Sequence, residues 1–561
     1  MAIKGALSLR NGRFPICWSR DNPYAARFQR ARRSGYGRPL AALVFAALLL
    51  GACGQREPGV FAPVEGFAGV VTADEPRAVL IGREVLGNGG TAVDAAVAMY
   101  FAMAVTLPSR VGLGGGGVCV LFQGQDKKGH AIEFLPRAAP SGGMVPSGMR
   151  AMAALHARYG TLRWEQLLAP AESLARFGHA VSRAFERDLV AAAGLIAVRP
   201  ELARVFTARS GRLARTGDRI VQIELSGVLG GIRQQGALYL HSGPFARRLA
   251  EASTAVGMPL TADDVRSNLP RVVDAVEVPA GDDVAYFAPP RATGGVVAAQ
   301  MWRMLTEAED FDDTAAGERP HLFAEAALRA FAERARWMDR DGSSREPLAD
   351  LVSEDRIEAV MADYNPDWLT PASHFSPPPP EIQGQAYSAG FVAGDQWSNA
   401  IACSFTMNRL FGAGRMAQGT GILMAAPPRS QNDGSTSLTA VVVGNKNTGN
   451  VRFGGIAGEG AVAATALVQV MIGSLTGDGG LHKAMAAPRV HHGGKPDVVW
   501  YETGLDGASL EGLRRRGHHL REVPALGHVN AFHCPEGLQG DPELCVVAND
   551  PRGFGLAYIA Q

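Results

Sequence analysis

The sequence predicts a layered α+β or α/β fold. From Phe391 to about Ile472, short β-prone runs come in pairs and lead into an apolar helix, the texture of sheets covered by helices. The stretch from about 148 to 350 is instead mostly helical. The chain's 561 residues, 47% hydrophobic and 19% charged, supply ample apolar material for a large core, and large layered folds use such a length as one unit.

Taken in order, the elements begin with a leader. Arg27, Arg30, Arg32, Arg33 and Arg38 precede an apolar run from Pro39 to Ala52. That run has the length of a signal-peptide core and falls short of the ~20 residues of a spanning helix. It ends Leu50-Gly51-Ala52-Cys53, which resembles the lipobox of bacterial lipoproteins. The reading is a signal peptide over residues 1–52 and a lipid on the thiol of Cys53. The alternative is a plain secretory signal followed by a chance cysteine. Gly54 is not the aspartate that retains lipoproteins at the inner membrane, so the expected location is the periplasmic face of the outer membrane.

Residues 77–105 read as helical. Ala78, Ile81, Val85 and Leu86 recur near helical spacing, and Asn88-Gly89-Gly90 is a glycine stop. Asp94 opens a second, buried helix, Ala95 to Val105. Val118 to Phe122 is a β-prone run entered through Gly114 to Gly117. Alanine- and arginine-rich helices are expected at 148–160 and 321–339, with a strand at Val284 to Ala288 between them. Residues 365–386 carry Pro377 to Pro380 in succession, which excludes helix and inner strand and reads as an exposed linker. It leads into Tyr387-Ser388. Strands are then expected at 391–393, 400–405, 438–443 and 451–453, and a buried helix at 461–472.

Charge and cysteines exclude some functions. With 55 basic and 54 acidic residues the net charge is +1, so the basic footprint of a nucleic-acid binder is missing. The 68 glycines fall in clusters without a period, which excludes collagen and solenoids. Cys534 and Cys545 bracket a Gly/Pro-rich loop, where a disulfide and two free thiols both fit. Cys119 and Cys403 lie in apolar runs and read as small buried hydrophobes. No Cys/His spacing resembles a zinc site. The neighbours in His491-His492 and His518-His519 point to different faces.

Several stretches, in this order, resemble the γ-glutamyltransferase family of N-terminal-nucleophile hydrolases. They are 88–96 with 112–117, 289–295, 321–326, Asp395 to Ala400 with 406–408, 419–423, 487–492 and 550–552. The resemblance covers roughly residues 65–557. It implies a four-layer αββα sandwich with a mostly helical middle segment. It implies a precursor cut into a segment 53–387 and a segment 388–561, intertwined in one domain. No cofactor and no metal are implied. The expected substrate is a small γ-glutamyl or related amide such as glutathione.

In that family the cut frees a threonine whose hydroxyl is the nucleophile and whose own amine is the base, a sound arrangement because a chain-terminal amine titrates near pH ~8. The family motif reads Thr-Thr-His. Counting back from Asn399 puts its first residue at Ser388, its second at Ala389 and its third at Gly390. Serine offers the same hydroxyl, and the linker ahead suits an autocleavage between Tyr387 and Ser388. The bland alternative is a solvent-exposed serine at a strand start. Ser373-His374-Phe375-Ser376 imitates the motif, but the prolines after it forbid a strand.

The remaining site residues follow from the same resemblance. The oxyanion-binding glycine pair falls within 454–460. One anchoring puts it at Glu459-Gly460 and another one place earlier, so Gly458 and Gly460 are the candidate glycines beside the catalytic Ser388. Close packing is the alternative reason for glycine there. Asn408, Ser435 and Thr436 fall on substrate-binding positions, and Arg137 stands one place from the family's carboxylate-binding arginine. The run Met424 to Arg429 lacks the acidic residues that grip an α-amino group. These departures keep a second reading open: an uncleaved, inactive family member that keeps the fold as a binding module, a binding lipoprotein of the envelope.

Overall fold

Two antiparallel sheets lie face to face, and helices cover both outer faces, in the computed structural model of the chain. It describes residues 64–308, 311–339, 341–377, 387–428, 437–477 and 479–561. All belong to one unit, Pro58–Gln561. The signal peptide and Cys53 expected from the sequence lie outside the described residues, as do Ser435 and Thr436. Among the described residues no helix is long and apolar enough to cross a membrane.

The first sheet holds seven strands: β1 (Gly69–Ala73), β2 (Gly116–Gln123), β3 (Lys128–Phe134), β4 (Arg271–Val273), β7 (Ser388–Asp395), β8 (Ala400–Thr406) and β13 (Leu556–Ala560). The second holds six: β5 (Val276–Ala280), β6 (Asp283–Phe287), β9 (Thr439–Gly444), β10 (Val451–Gly458), β11 (His528–His533) and β12 (Val546–Asn549). Their spatial orders are β13-β1-β7-β8-β2-β3-β4 and β12-β11-β10-β9-β6-β5. Each sheet therefore combines strands from both sides of Tyr387, and in the first they interleave.

Between the sheets lies an apolar layer that includes Val120, Phe122, Tyr286, Val392, Val442, Ile456 and Phe532. Strands facing this layer on one side and helices on the other are buried on both faces. That is why β7 and β8 are buried throughout and read as continuous apolar runs, without alternation. Helices α1 (Pro76–Gly87) and α2 (Ala92–Thr106) pack on the first sheet. Helices α4 (Thr293–Arg303), α5 (Arg319–Trp337) and α6 (Val462–Leu475) pack on the second. The layer order is αββα.

Helix α2 begins two residues before Asp94. Thr91 is its N-cap, and Thr91 and Asp94 bond reciprocally in a capping box. All fifteen of its residues are buried, which removes the amphipathic stripe by which a surface helix is usually read.

Cys119 and Cys403 stand directly opposite each other on β2 and β8 and form a disulfide; the sequence reading as two small hydrophobes described their burial but missed the bond. Cys534 and Cys545 are also bridged.

Candidate functional site

Ser388 is the first residue of β7 and pairs with Thr406 on β8. Its side chain is 3% exposed, so it is not the solvent-facing serine of the bland alternative. The Oγ accepts the backbone N–H of Glu459 at 3.2 Å. Glu459 and Gly460 have φ of +80° and +72° and form the turn between β10 and α6. That left-handed turn aims the Glu459 N–H at β7. On the other side of the peptide bond, the Tyr387 carbonyl accepts Thr406 Oγ1 at 2.9 Å. The nucleophile candidate and the carbonyl ahead of it thus each have a donor in place.

A charge network surrounds this point, with Arg110, Asp188, Asp74 and His528 buried and Glu459 and Arg187 about a third exposed. Arg110, in the turn after α2, donates Nε and Nη2 to Asp188 at 2.8 and 2.7 Å and Nη1 to the Ser388 carbonyl at 3.1 Å. Asp188 lies on a helix, Arg183–Ala191, which we label α3. Arg110 also carries the Tyr387 ring 5.3 Å from its guanidinium. The Glu459 carboxylate lies 3.8 Å from Arg110, 3.8 Å from Arg187 and 3.6 Å from His528 Nδ1. His528 Nε2 lies 3.1 Å from Asp74.

Protonation follows from this arrangement. Burial favours the neutral form of each group, and the neighbouring charges outweigh it. His528 is pushed up to about 9 by Asp74 and Glu459 against the effect of burial. Burial would raise the Asp74 carboxyl, but His528, the Gly390 N–H and Asn530 hold it below its ordinary value. Glu459 is held well below the carboxylate range by His528, Arg110 and Arg187, again against burial.

The other residues singled out from sequence are placed as follows. Gly458 closes β10 opposite His528, and a Cβ there would lie 2.4 Å from His528 Nε2. Its missing side chain makes room for the imidazole, while the N–H that meets Ser388 Oγ is that of Glu459. Asn408 is fully buried at φ +65°, donates Nδ2 to the Ala426 carbonyl at 2.7 Å, and leaves its Oδ1 without a partner among the described residues. Its backbone N–H donates to Thr406 Oγ1, which ties it to the Tyr387 carbonyl. Arg137 stands exposed on a two-residue strand, Arg137–Ala138.

Asp74, Arg110, Asp188 and His528 were missed from sequence. Arg110 had a faint signal, an arginine embedded in a Gly-rich apolar stretch. The others come from distant segments and carry none.

One cluster has metal-ligand residue types: His321, Glu325 and His518. Its atoms are already engaged. His321 Nε2 donates to the Asn365 carbonyl, so its Nδ1 takes the Nε2–H of His518 at 2.8 Å. Glu325 accepts the Thr370 N–H and the Arg329 guanidinium. The cluster is a satisfied hydrogen-bond network that ties α5 to the chain beyond it.

Comparison with known proteins places this geometry. The family model for gamma-glutamyltranspeptidase matches residues 78–559. The chain belongs to the gamma-glutamyltranspeptidase family. Its relatives include the glutathione hydrolase proenzyme of Escherichia coli, 26% identical across 91% of this chain and 97% of that protein. Glutathione hydrolase 3 of Arabidopsis thaliana is 27% identical across 82% of this chain and 80% of its own length. Among solved structures, a cephalosporin acylase from Bacillus halodurans shares the fold with a TM-score of 0.73 at 21% identity, covering 90% of this chain and 98% of its own. The gamma-glutamyltranspeptidase of Helicobacter pylori aligns at a TM-score of 0.51 and 26% identity over 56% of this chain and 97% of its own. This gamma-glutamyltranspeptidase-family chain is a divergent hydrolase or acyl transferase of the N-terminal-nucleophile type, with the α+β sandwich of that class.

Proposed function

We propose that the chain cuts itself between Tyr387 and Ser388 and that Ser388 then serves as an N-terminal nucleophile toward small amides. The observation that carries this reading is the pair of donors around one peptide bond: Glu459 N–H on Ser388 Oγ at 3.2 Å and Thr406 Oγ1 on Tyr387 O at 2.9 Å.

In the cut, Ser388 Oγ attacks the Tyr387 carbonyl carbon, whose oxygen is polarised by Thr406. The carbon–nitrogen bond breaks and the nitrogen keeps the proton that leaves Oγ. Water hydrolyses the resulting ester, which releases a Tyr387 carboxylate and restores the serine hydroxyl beside a free α-amine. In turnover that amine takes the hydroxyl proton, Oγ attacks the substrate carbonyl, and the departing amine takes the proton. The acyl-serine is resolved by water or by an acceptor amine. The Glu459 N–H donates to Oγ itself, the attacking atom, and holds it in place as its proton leaves.

The substrate class is γ-glutamyl amides such as glutathione or related acyl amides. Two observations favour an acyl group other than γ-glutamyl. Met424, Ala425 and Ala426 are buried and apolar where the family grips an ammonium. The Glu459 carboxylate is already faced by three cations. We further propose the lipid anchor at Cys53 on the periplasmic side of the outer membrane, from the Leu50 to Cys53 pattern.

Intact mass and a reducing denaturing gel test the reading. Two fragments split before Ser388 are expected, together with a lipid mass on Cys53. Ser388→Ala should abolish both cleavage and turnover. One stable uncut band in the unaltered chain, or fragments from Ser388→Ala, would count against it and favour the binding lipoprotein.

A further inference from the structure

The chemistry proposed for Ser388 makes no use of His528, although this imidazole is almost sealed from solvent at 3% exposure. It opens β11 directly across from Gly458. On one side, Nε2 meets Asp74 Oδ1 at 3.1 Å. Asp74 in turn grips the nucleophile strand: its Oδ2 accepts the Gly390 N–H at 2.8 Å and its own N–H donates to the Gly390 carbonyl at 3.2 Å. Asn530 Nδ2 completes Asp74 at 2.7 Å. On the other side, Nδ1 has no hydrogen bond among the described residues and faces Glu459 Oε1 at 3.6 Å. Glu459 is the residue whose N–H meets Ser388 Oγ.

The imidazole therefore stands between the carboxylate that holds β7 and the carboxylate on the turn that faces β7. We propose that His528 is a positioning residue: as an imidazolium bridging Asp74 and Glu459, it sets the approach of the Glu459 N–H to Ser388 Oγ. The inference rests on the reading of Ser388 as the nucleophile.

Three arguments support it. A neutral imidazole donates to only one carboxylate and turns a lone pair on the other, so the bridge needs the charged form. The surrounding charges also balance only then. Asp74, Asp188 and Glu459 face Arg110, Arg187 and His528, and a neutral His528 would leave these anions one positive charge short. Finally, Glu459 sits at φ +80°, a left-handed conformation that a residue with a Cβ adopts only at a cost. Glycine would take that conformation freely. A glutamate there is held by what its carboxylate binds. The upward push on the His528 pKa agrees with all three.

The test follows fragment formation by freshly synthesised full-length chain on reducing gels across pH, for the unaltered chain, Ser388→Ala and His528→Gln. The unaltered chain should lose rate steeply as pH rises past about 9, by roughly tenfold per pH unit. His528→Gln, which keeps one donor and loses the charge, should be slower by roughly 10- to 100-fold and lack that alkaline limb. A His528→Gln rate equal to that of the unaltered chain, or the same limb in the variant, overturns the inference. So does an unaltered rate that keeps rising past pH ~10. Fragments from Ser388→Ala would instead remove the nucleophile reading on which the inference stands. An independent measurement needs no processing. In uncut Ser388→Ala chain with labelled histidine, the resonance lost on adding His528→Gln should titrate above about pH 8. A midpoint below about pH 7 overturns the bridge.

Discussion

Arg110 and Asp188 form a two-pronged pair, Nε and Nη2 on the two carboxylate oxygens at 2.8 and 2.7 Å, with side chains only 3% and 1% exposed. The third nitrogen of the same guanidinium holds the Ser388 carbonyl. Ser109 Oγ adds a bond to Asp188 at 2.6 Å. The pair thus fixes the backbone that carries the nucleophile candidate from a helix far away in sequence.

Asp188→Asn keeps the shape and removes the charge. It leaves the buried guanidinium facing Glu459 at 3.8 Å without its two-pronged partner, which should cost about 3–5 kcal/mol by urea unfolding. Processing should fall as well, because Arg110 Nη1 loses its fixed direction. The exposed pair Arg204–Glu224 is the control: Arg204→Gln should cost less than about 1 kcal/mol and leave processing unchanged. Equal effects of the two would show that burial of the Arg110 pair has no energetic weight.

The disulfide pattern makes a second expectation. Cys119 precedes the Tyr387–Ser388 bond and Cys403 follows it, so their bridge spans the cut. A processed chain should run as one band without reductant and as two with it. Cys403→Ser should release two bands under both conditions. The Cys534–Cys545 bridge lies wholly after the cut and should not alter the band count. Two bands without reductant from the unaltered, processed chain would show that the Cys119 bridge does not form.

Much of the fold was legible because each layer leaves a local mark. The strand pair 388–395 and 400–406 shows as two apolar runs around a polar turn, and α6 as an apolar helix after glycines. The charge network was not legible. Asp74, Arg110, Asp188, Glu459 and His528 come from five separate segments, and only sheet register and helix packing bring them together. His528 stands opposite Gly458 only through the register of β10 and β11. The two cysteines at 119 and 403 failed for the same reason: they face each other only through the β2–β8 register. Thr406 was within sight as part of the 406–408 resemblance, but its bond to the Tyr387 carbonyl depends on its pairing with Ser388.

Gly458 offers a steric test of that register. A Cβ on it would sit 2.4 Å from His528 Nε2 and 3.1 Å from the Ser388 carbonyl. Gly458→Ala must push the imidazole off Asp74 or shift β10. A loss of about 1–3 kcal/mol is expected, with slower processing. Gly507, at the start of a surface helix with open space around it, is the control; Gly507→Ala should be neutral or stabilising by less than about 1 kcal/mol. An unaffected Gly458→Ala would mean that His528 does not lie over this glycine.

The pH dependence of stability should carry the signature of His528. Its folded pKa, about 9, lies above the ordinary ~6.5 of the unfolded chain. A raised base stabilises the fold fully below the unfolded value, and that contribution fades as pH rises to the folded value. Unfolding free energy should therefore decline between about pH 6.5 and about pH 9, by about 3 kcal/mol at most, and level off above. Asp74 acts in the opposite direction. Its carboxyl is held below the ordinary range, so its contribution is present above about pH 4 and is lost as acid protonates it. Uncut Ser388→Ala chain is the right sample, because it has no new α-amine titrating in the same window. The urea midpoint should fall across the alkaline window in that chain and stay level once His528→Gln is added. A midpoint already level through the window in Ser388→Ala alone would mean that the imidazole is neutral in the fold.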